Sequence, residues 1–405
     1  EKTVALLQQN RSVRYNILYF DINCFKIIND LFHIETGNLI LKTAGAYFKT
    51  ITEGIGVAAH MEADHFAICM PEDMLDIDIL LEGIDSAIFS LGIKNNILFY
   101  AGIYPVDDVL VPVNQMCDRA HMALNTVKGL YKKRYAYYDE KMREKLLEEQ
   151  MLLREMEQAL SSGQFCVYYQ PIYSIKAGRA VSAEALVRWR HPTAGVIPPV
   201  RFVPLFERNG FVVRLDRFAW EEVCRMLAER IRAGLPVVPV SVNVSRLNFY
   251  DNDFCDTVVG LLQKYGIDPS LLRLEITESA YTDNPVQLLS VLKRLRDIGL
   301  TILMDDFGSG YSSLNMLKNV TVDILKIDMG FVQNLEDSER APTILRRVVE
   351  MAHDLKMSVV VEGVETKAQI DFLSSIDCDK IQGYYFAKPM AREDFTALIE
   401  KEAGR

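Results

Sequence analysis

The chain has 405 residues, 49% apolar and 25% charged, with a formal net charge of −10. This is the composition of a globular protein with two or three domains, and the acidic balance argues against a nucleic-acid polymer as partner. No run approaches the roughly 20 apolar residues of a membrane span, Glu1-Lys2-Thr3 opens no signal-peptide pattern, and seven scattered cysteines without a C-x-x-C pair predict reduced thiols, a cytoplasmic location and no membrane partner.

Along residues 1–138, strand and helix signals alternate. Asn16–Ile22 reads as a buried strand, followed by a helix through Ile27 and Leu31, and Phe66–Met70 and Ile97–Tyr104 read as further strands. An α/β first domain is expected. Asp139 to Leu160 holds no Gly or Pro, and Met142, Leu146, Leu153, Met156 and Leu160 recur at helical spacing. The spacing predicts a long amphipathic helix, with residues 139–155 as the connection to a second domain over 156–405.

In that second domain eight apolar runs follow, most trailed by an amphipathic segment: Phe165–Tyr169, Val181–Trp189, Val237–Val244, Leu271–Thr277, Leu300–Met304, Val322–Ile327, Val359–Val361 and Lys380–Tyr385. Eight strand–helix units in about 250 residues predict a (β/α)8 TIM-like barrel, whose chemistry sits at the C-terminal ends of the strands. Polar residues gather there: Glu184, Asn243, Glu275, Asp305, Asp306, Lys326, Asp328, Glu362 and Gln382. The two-residue spacing of Lys326 and Asp328 assigns both to one strand face.

One carboxylate at a strand end is ordinarily a solvated loop residue or a helix cap. Several at one barrel mouth raise one another's pKa and need compensating cations. Oxygen-only ligands suit Mg²⁺ or Mn²⁺. The adjacent pair Asp305-Asp306 suits two ions, a recurrent arrangement for phosphodiester cleavage.

The ordered segments resemble the EAL family of cyclic di-GMP phosphodiesterases over residues 150–400. They are Tyr169-Gln170-Pro171-Ile172, Glu184-Ala185-Leu186 with Val187-Arg188-Trp189, Asn243-Val244-Ser245, Glu275-Ile276-Thr277-Glu278, Asp305-Asp306-Phe307-Gly308-Ser309-Gly310-Tyr311, Leu325-Lys326-Ile327-Asp328, Glu362-Gly363-Val364-Glu365 and Gln382-Gly383. The resemblance implies one metal held by Glu184, Asn243, Glu275 and Asp305, and a second shared by Asp305 and Asp306. It implies that Lys326 holds the attacking water or a phosphate oxygen, and that Glu362 is similar to the proposed general base. Asp328 and Gln382 complete the inner site, and Arg188 and Gln170 meet the substrate. Glu278, counted with the catalytic set, would steady the loop 307–313 together with Glu365. The implied reaction opens cyclic di-GMP to linear pGpG, and a homodimer through the barrel is expected.

Residues 16–139 resemble a diguanylate cyclase (GGDEF) domain, with Asp21-Ile22-Asn23-Cys24-Phe25-Lys26 matching its opening strand and helix. The signature turn stands as Glu62-Ala63-Asp64-His65-Phe66. Glu62 adds bulk and charge where glycine would let the hairpin approach phosphates, and His65 replaces a carboxylate. The resemblance therefore implies a domain without cyclase activity. Asp21, Asn29 and Asp64 leave room for weak GTP or metal binding. The chain starts inside what resembles that domain's first helix, which suggests a longer protein. Two other functions remain in view: a catalytically silent cyclic di-GMP receptor and a dimerisation scaffold.

Overall fold

A computed structural model describes the chain at all positions except 11, 94–96, 131, 278–279, 281–284, 309–316, 334, 336–339 and 405. It divides into two compact units, Glu1–Gln150 and Met151–Arg405.

In the first unit every residue of β1 (Tyr15–Ile22) is buried, as a central strand requires. β1 lies between β3 (Phe66–Pro71) and β4 (Phe99–Pro105), antiparallel to both. With β2 (Val57–His60) and β5 (Tyr135–Tyr137) at the edges, the sheet order is β2-β3-β1-β4-β5. Besides α1 (Lys2–Gln9), the unit carries three longer helices. One face of the sheet packs Phe20, Phe66 and Phe99 against Ile40 and Phe48 of α2 (Phe25–Thr52) and Leu80 and Ile84 of α3 (Ile77–Phe89). The other packs Tyr19 and Tyr100 against Met116 and Leu124 of α4 (Val113–Asn125). The helix expected through Ile27 and Leu31 runs on to Thr52 but kinks at His33, whose φ is 67°. That break leaves Ile27 and Leu31 mostly exposed, at 54% and 64%.

The predicted amphipathic helix is α5 (Glu140–Ser161), and the division between the units falls inside it. Its buried line differs from the sequence pattern by one position. Leu152 and Ala159 are buried with Met156 and Leu160 beside them, whereas Leu146 and Leu153 are exposed. The line faces Phe165, Trp189, Phe202 and Phe206, and those aromatics fix which side of the helix is covered. Nearby, buried His191 accepts from the Ala194 N–H at Nδ1 and donates from Nε2 to Glu155 at 2.8 Å.

The second unit is the predicted barrel. Its strands are β6 (Phe165–Ser174), β7 (Arg179–His191), β9 (Val240–Val244), β10 (Leu272–Thr277), β11 (Thr301–Phe307), β12 (Ile324–Ile327), β13 (Ser358–Val361) and β14 (Lys380–Ile381), with a short β8 (Gly195–Ile197) added beside β7. The order β6-β14-β13-β12-β11-β10-β9-β7 closes through β6–β7 pairing. Regular alternation of strand and helix fails at the start. β6 and β7 form an antiparallel hairpin, and β6 is also antiparallel to β14. Only residues 175–178 separate them, too few for the crossover that parallel strands need. Gly178, at φ 62°, makes the turn. Helices α6 (Pro199–Asn209), α7 (Val212–Arg232) and α8 (Phe254–Tyr265) then follow, and later helices cover the remaining strands.

Leu152→Ala is expected to destabilise the second unit by about 2–4 kcal/mol through a core cavity. Leu153→Ala should cost under about 0.5 kcal/mol. Denaturant unfolding of the two variants checks the assignment of the buried line.

Candidate active site

The barrel axis is polar at its C-terminal end because the inward positions of neighbouring strands carry charge. Register brings Gln170 on β6 opposite Glu184 on β7, and Asn243 on β9 opposite Glu275 on β10. Thr277 lies opposite Asp305 on β11. Lys326 on β12 is 1% exposed, and its ammonium sits among four carboxylates. Nζ lies 2.6 Å from Glu275 Oε2, 2.7 Å from Glu362 Oε1, 2.9 Å from Asp305 Oδ1 and 3.2 Å from Glu184 Oε2.

One cation among four carboxylates, three buried and Glu362 half-buried, divides their protonation. Burial pulls the Lys326 ammonium down, but Asp305, Glu184, Glu275 and Glu362 outweigh it and hold its pKa well above the ordinary lysine value. Burial raises Glu275 well above the usual carboxylate range, and Glu184 and Asp305 add to this. Burial also lifts Glu362, to about 8, against the pull of Lys326. Glu184 moves the other way. Burial disfavours its charge, but Lys326 and the donors on Gln382 and Asn243 bring its pKa below the ordinary value.

Adjacent residues on a regular strand point to opposite faces, so Asp305 and Asp306 would not share one mouth. A bulge solves this. Between Met304 and Phe307, β11 advances one residue more than β12, and Asp306 takes the left-handed conformation at φ 56°. Asp306 is pushed up to about 6, by burial and then by Asp305. Two carboxylate triads result, Glu184–Glu275–Asp305 and Asp305–Asp306–Glu362, each with oxygens within 4.8 Å of one another. They share Asp305. Glu275 Oε1 is buried without a hydrogen-bond partner. An orphaned carboxylate oxygen beside two further carboxylates fits a hard divalent cation, as oxygen-only donors do. These residues could hold two.

The amides form a chain behind Glu184. Gln170 Nε2 donates to the Ala387 carbonyl at 3.3 Å, Gln382 Nε2 to Gln170 Oε1 at 3.1 Å and to Glu184 Oε2 at 2.7 Å. Gln170 and Gln382, expected at the substrate and inner site, therefore orient a carboxylate. Asn243 Nδ2 donates to Glu184 Oε1 at 3.2 Å, so its nitrogen faces the cluster. Arg188 is half-buried near the Tyr168 ring, with Nη1 on the neighbouring Val187 carbonyl. Asp328 follows the end of β12, and its Oδ1 accepts from the Gly330 N–H at 2.8 Å. Glu278 and Ser309-Gly310-Tyr311 lie outside the described residues. The part of Glu362 in a carboxylate triad was not read from sequence, although its position after Val359-Val360-Val361 was the available signal.

In the first unit Asp21, Asp64 and His65 converge within 4.8 Å. Asp21 Oδ2 accepts from Lys128 Nζ at 2.6 Å and pairs with His65 Nε2 at 3.0 Å. Lys128 was not anticipated. Asn29 turns to pack its Oδ1 over Gly37, where a Cβ would stand 1.9 Å away.

The sequence pattern of the EAL domain matches residues 153–389. The chain belongs to the EAL family. The diguanylate cyclase, GGDEF domain, matches residues 2–134, so the two domains stand in tandem. The chain is 31% identical over 397 residues to the cyclic di-GMP phosphodiesterase NbdA of Pseudomonas aeruginosa, covering 96% of this chain and 50% of that protein. It is 30% identical over 394 residues to the bifunctional diguanylate cyclase/cyclic di-GMP phosphodiesterase MucR of the same species, covering 95% and 57%. The chain thus spans about half the length of the curated relatives it matches. Among solved structures, the PaMucR phosphodiesterase in complex with c-di-GMP is 36% identical with a TM-score of 0.58, covering 60% of this chain and 99% of that one. No described helix is long and apolar enough to cross a membrane.

Asp216 of α7 pins the end of β9, accepting from the Ser245 N–H at 2.9 Å and Asn248 Nδ2 at 2.7 Å. Burial pushes its carboxyl up to about 7 despite those donors. The native group therefore holds a proton that the unfolded chain releases near pH 4, and its contribution to stability falls as pH rises from about 4 to about 7. Between pH 8 and pH 6 the chain should gain about 1 kcal/mol through this group. Asp216→Asn should lose that gain, as followed by thermal unfolding at the two pH values.

Proposed function

We propose that the barrel hydrolyses cyclic di-GMP to linear pGpG with two divalent cations, Mg²⁺ or Mn²⁺. The observation that carries this is the pair of carboxylate triads joined at Asp305. The phosphodiesterase relatives named above support the substrate. Glu184, Glu275 and Asp305 would hold one cation, joined by Asn243 through Oδ1 once its amide is turned over, and Asp305 and Asp306 would hold the other, with Glu362 beside them. Bound there, the cations would supply Lewis acidity toward the phosphodiester and a water made acidic enough to attack at neutral pH.

The chain's own groups do the rest. Lys326 keeps its charge throughout the neutral range and offers it to the attacking water or to a phosphate oxygen as charge develops there. Glu362, whose carboxyl would be ionised beside a bound cation, would accept the water's proton. Gln382 and Gln170 hold Glu184 in place, Arg188 would meet the substrate, and Asp328 would complete the inner site. The residues that would hold the cations give an acidic protein a place for an anionic substrate, because a bound cation would reverse the local sign of the field.

The test is direct: the purified chain, cyclic di-GMP and Mg²⁺ or Mn²⁺, with nucleotides separated by chromatography. pGpG should form, stop on chelation and resume on adding metal. Glu184→Ala should lower the rate at least about a hundredfold while the thermal transition persists. Binding without pGpG would instead support a silent receptor.

For the first unit we infer no cyclase activity. The supporting observation is that Asp21 is already engaged by Lys128 and His65, beside a turn carrying Glu62 instead of glycine. Weak GTP binding at Asp21, Asn29 and Asp64, a homodimer through the barrel and a cytoplasmic location belong to the same reading. So do boundaries of 1–138 for the first domain, 139–155 for the connecting helix and 156–405 for the barrel. His65→Ala should leave phosphodiester hydrolysis within about twofold of the unsubstituted chain; a tenfold loss would assign the first unit a direct part in turnover.

A further inference from the structure

The inward side chains of the barrel are stacked in levels. The acids and Lys326 occupy the mouth, and beneath them Ile172, Leu303, Ile324 and Val360 pack together as an apolar plug. Below the plug lie the first inward positions of the strands. Side chains two residues apart share a strand face, so Arg273 on β10 faces inward with Glu275, Ser358 on β13 with Val360, and Lys380 on β14 with Gln382. Strands β13, β12 and β11 separate β14 from β10 one way round the closed sheet, and β6, β7 and β9 the other way. Arg273 and Lys380 therefore stand on opposite sides of the axis.

Both cations are half-buried, and among the described residues neither makes an ion pair. Arg273 Nε is buried with no hydrogen-bond partner. Lys380 Nζ donates to Ser358 Oγ at 2.9 Å. The neighbouring acid, Asp379, already holds three donors on Oδ2: the Val359 N–H at 2.8 Å, His353 Nε2 at 3.0 Å and Ser358 Oγ at 3.3 Å. Burial, and then Arg273, hold the Lys380 ammonium below the ordinary lysine value, as expected of like charges that face each other. A partly desolvated guanidinium with an unpaired donor suits an oxyanion, because its planar fork matches two oxygens at once, and a lysine adds a point charge. We propose that the floor of the barrel is an anion site, in which Arg273 and Lys380 hold one phosphate group, free or carried by a nucleotide, at the end of the axis opposite the acids. Ser358 is the positioning residue for the lysine. The two ends of one axis then take ligands of opposite sign, with the apolar plug between them. The site stands whether or not the mouth cleaves a phosphodiester.

Isothermal titration calorimetry of the full chain with sodium phosphate tests this, at constant ionic strength and with EDTA present so that no divalent cation draws phosphate to the mouth. One saturable site is expected, half-filled at about 1 mM or below, and saturating phosphate should raise the thermal transition of the barrel. Arg273→Leu should weaken binding at least about tenfold and remove that rise. Lys380→Met should weaken it by a smaller factor, and it carries the test if Arg273→Leu loses its cooperative unfolding transition. Guanosine 5′-monophosphate, titrated in the same way, identifies the source. Binding tighter than that of inorganic phosphate, and lost in Arg273→Leu, assigns the site to a nucleotide; equal or weaker binding assigns it to free phosphate. No saturable heat with either probe in the unsubstituted chain overturns the proposal. So does unchanged phosphate affinity in a folded Arg273→Leu chain, or in Lys380→Met where that variant carries the test, because the phosphate would then lie elsewhere, such as beside Lys132 and Lys133 of the first unit.

Discussion

The buried ammonium of Lys326 is the constraint around which the barrel mouth is organised. Four carboxylates within 3.2 Å of one side chain that is 1% exposed cannot be laid out in an arbitrary order. Removing a charge from water costs several kcal/mol, and only close partners offset that cost. Each strand that contributes an acid is therefore tied in register to β12, and the acids are tied to one another through the same nitrogen. One positive charge against four negative ones also leaves an imbalance. It surfaces as raised pKa values at Glu275 and Glu362 and as the orphaned Oε1 of Glu275. The folded chain thus leaves a surplus of negative charge at the barrel mouth that its own lysine does not balance.

Much of this was legible in the sequence, for identifiable reasons. Strands covered on both faces read as continuous apolar runs, so a run such as Val359–Val361 and a charged residue directly after it mark a strand and its C-terminal end. Strand direction is another matter. Apolar content is the same whichever way a strand runs, and the antiparallel β6 was signalled only by the short 175–178 turn with Gly178. The bulge was also hidden. Nothing local obliges Asp306 to adopt a positive φ; the pairing of β11 with β12 imposes it. The same limit explains the one-position error on α5. Periodicity alone leaves Leu152 and Leu153 close to equivalent, and the aromatic cluster of Phe165, Trp189 and Phe202 decides between them.

Long-range pairings were the least accessible. Gln170 and Gln382 are 212 positions apart yet share a hydrogen bond, and Lys128 meets Asp21 across 107 positions. Such contacts change the reading of both sites. In the barrel, the amides of Gln170 and Gln382 form a chain behind the carboxylate of Glu184. In the first unit Lys128 and His65 already engage the aspartate, so the two clusters of acids meet different partners in one chain. The barrel gathers four carboxylates around one lysine, whereas in the first unit Lys128 pairs with a single aspartate.

The reversed direction of β6 also decides where the chain enters the barrel. In an all-parallel barrel the preceding helix would attach at the floor, away from the chemistry. Here Phe165, the first residue of β6, pairs with Trp189 near the far end of β7, so α5 delivers the chain to the same rim that carries the acids. The hand-over from α5 to β6 is thus on the acidic side of the barrel and not at its floor.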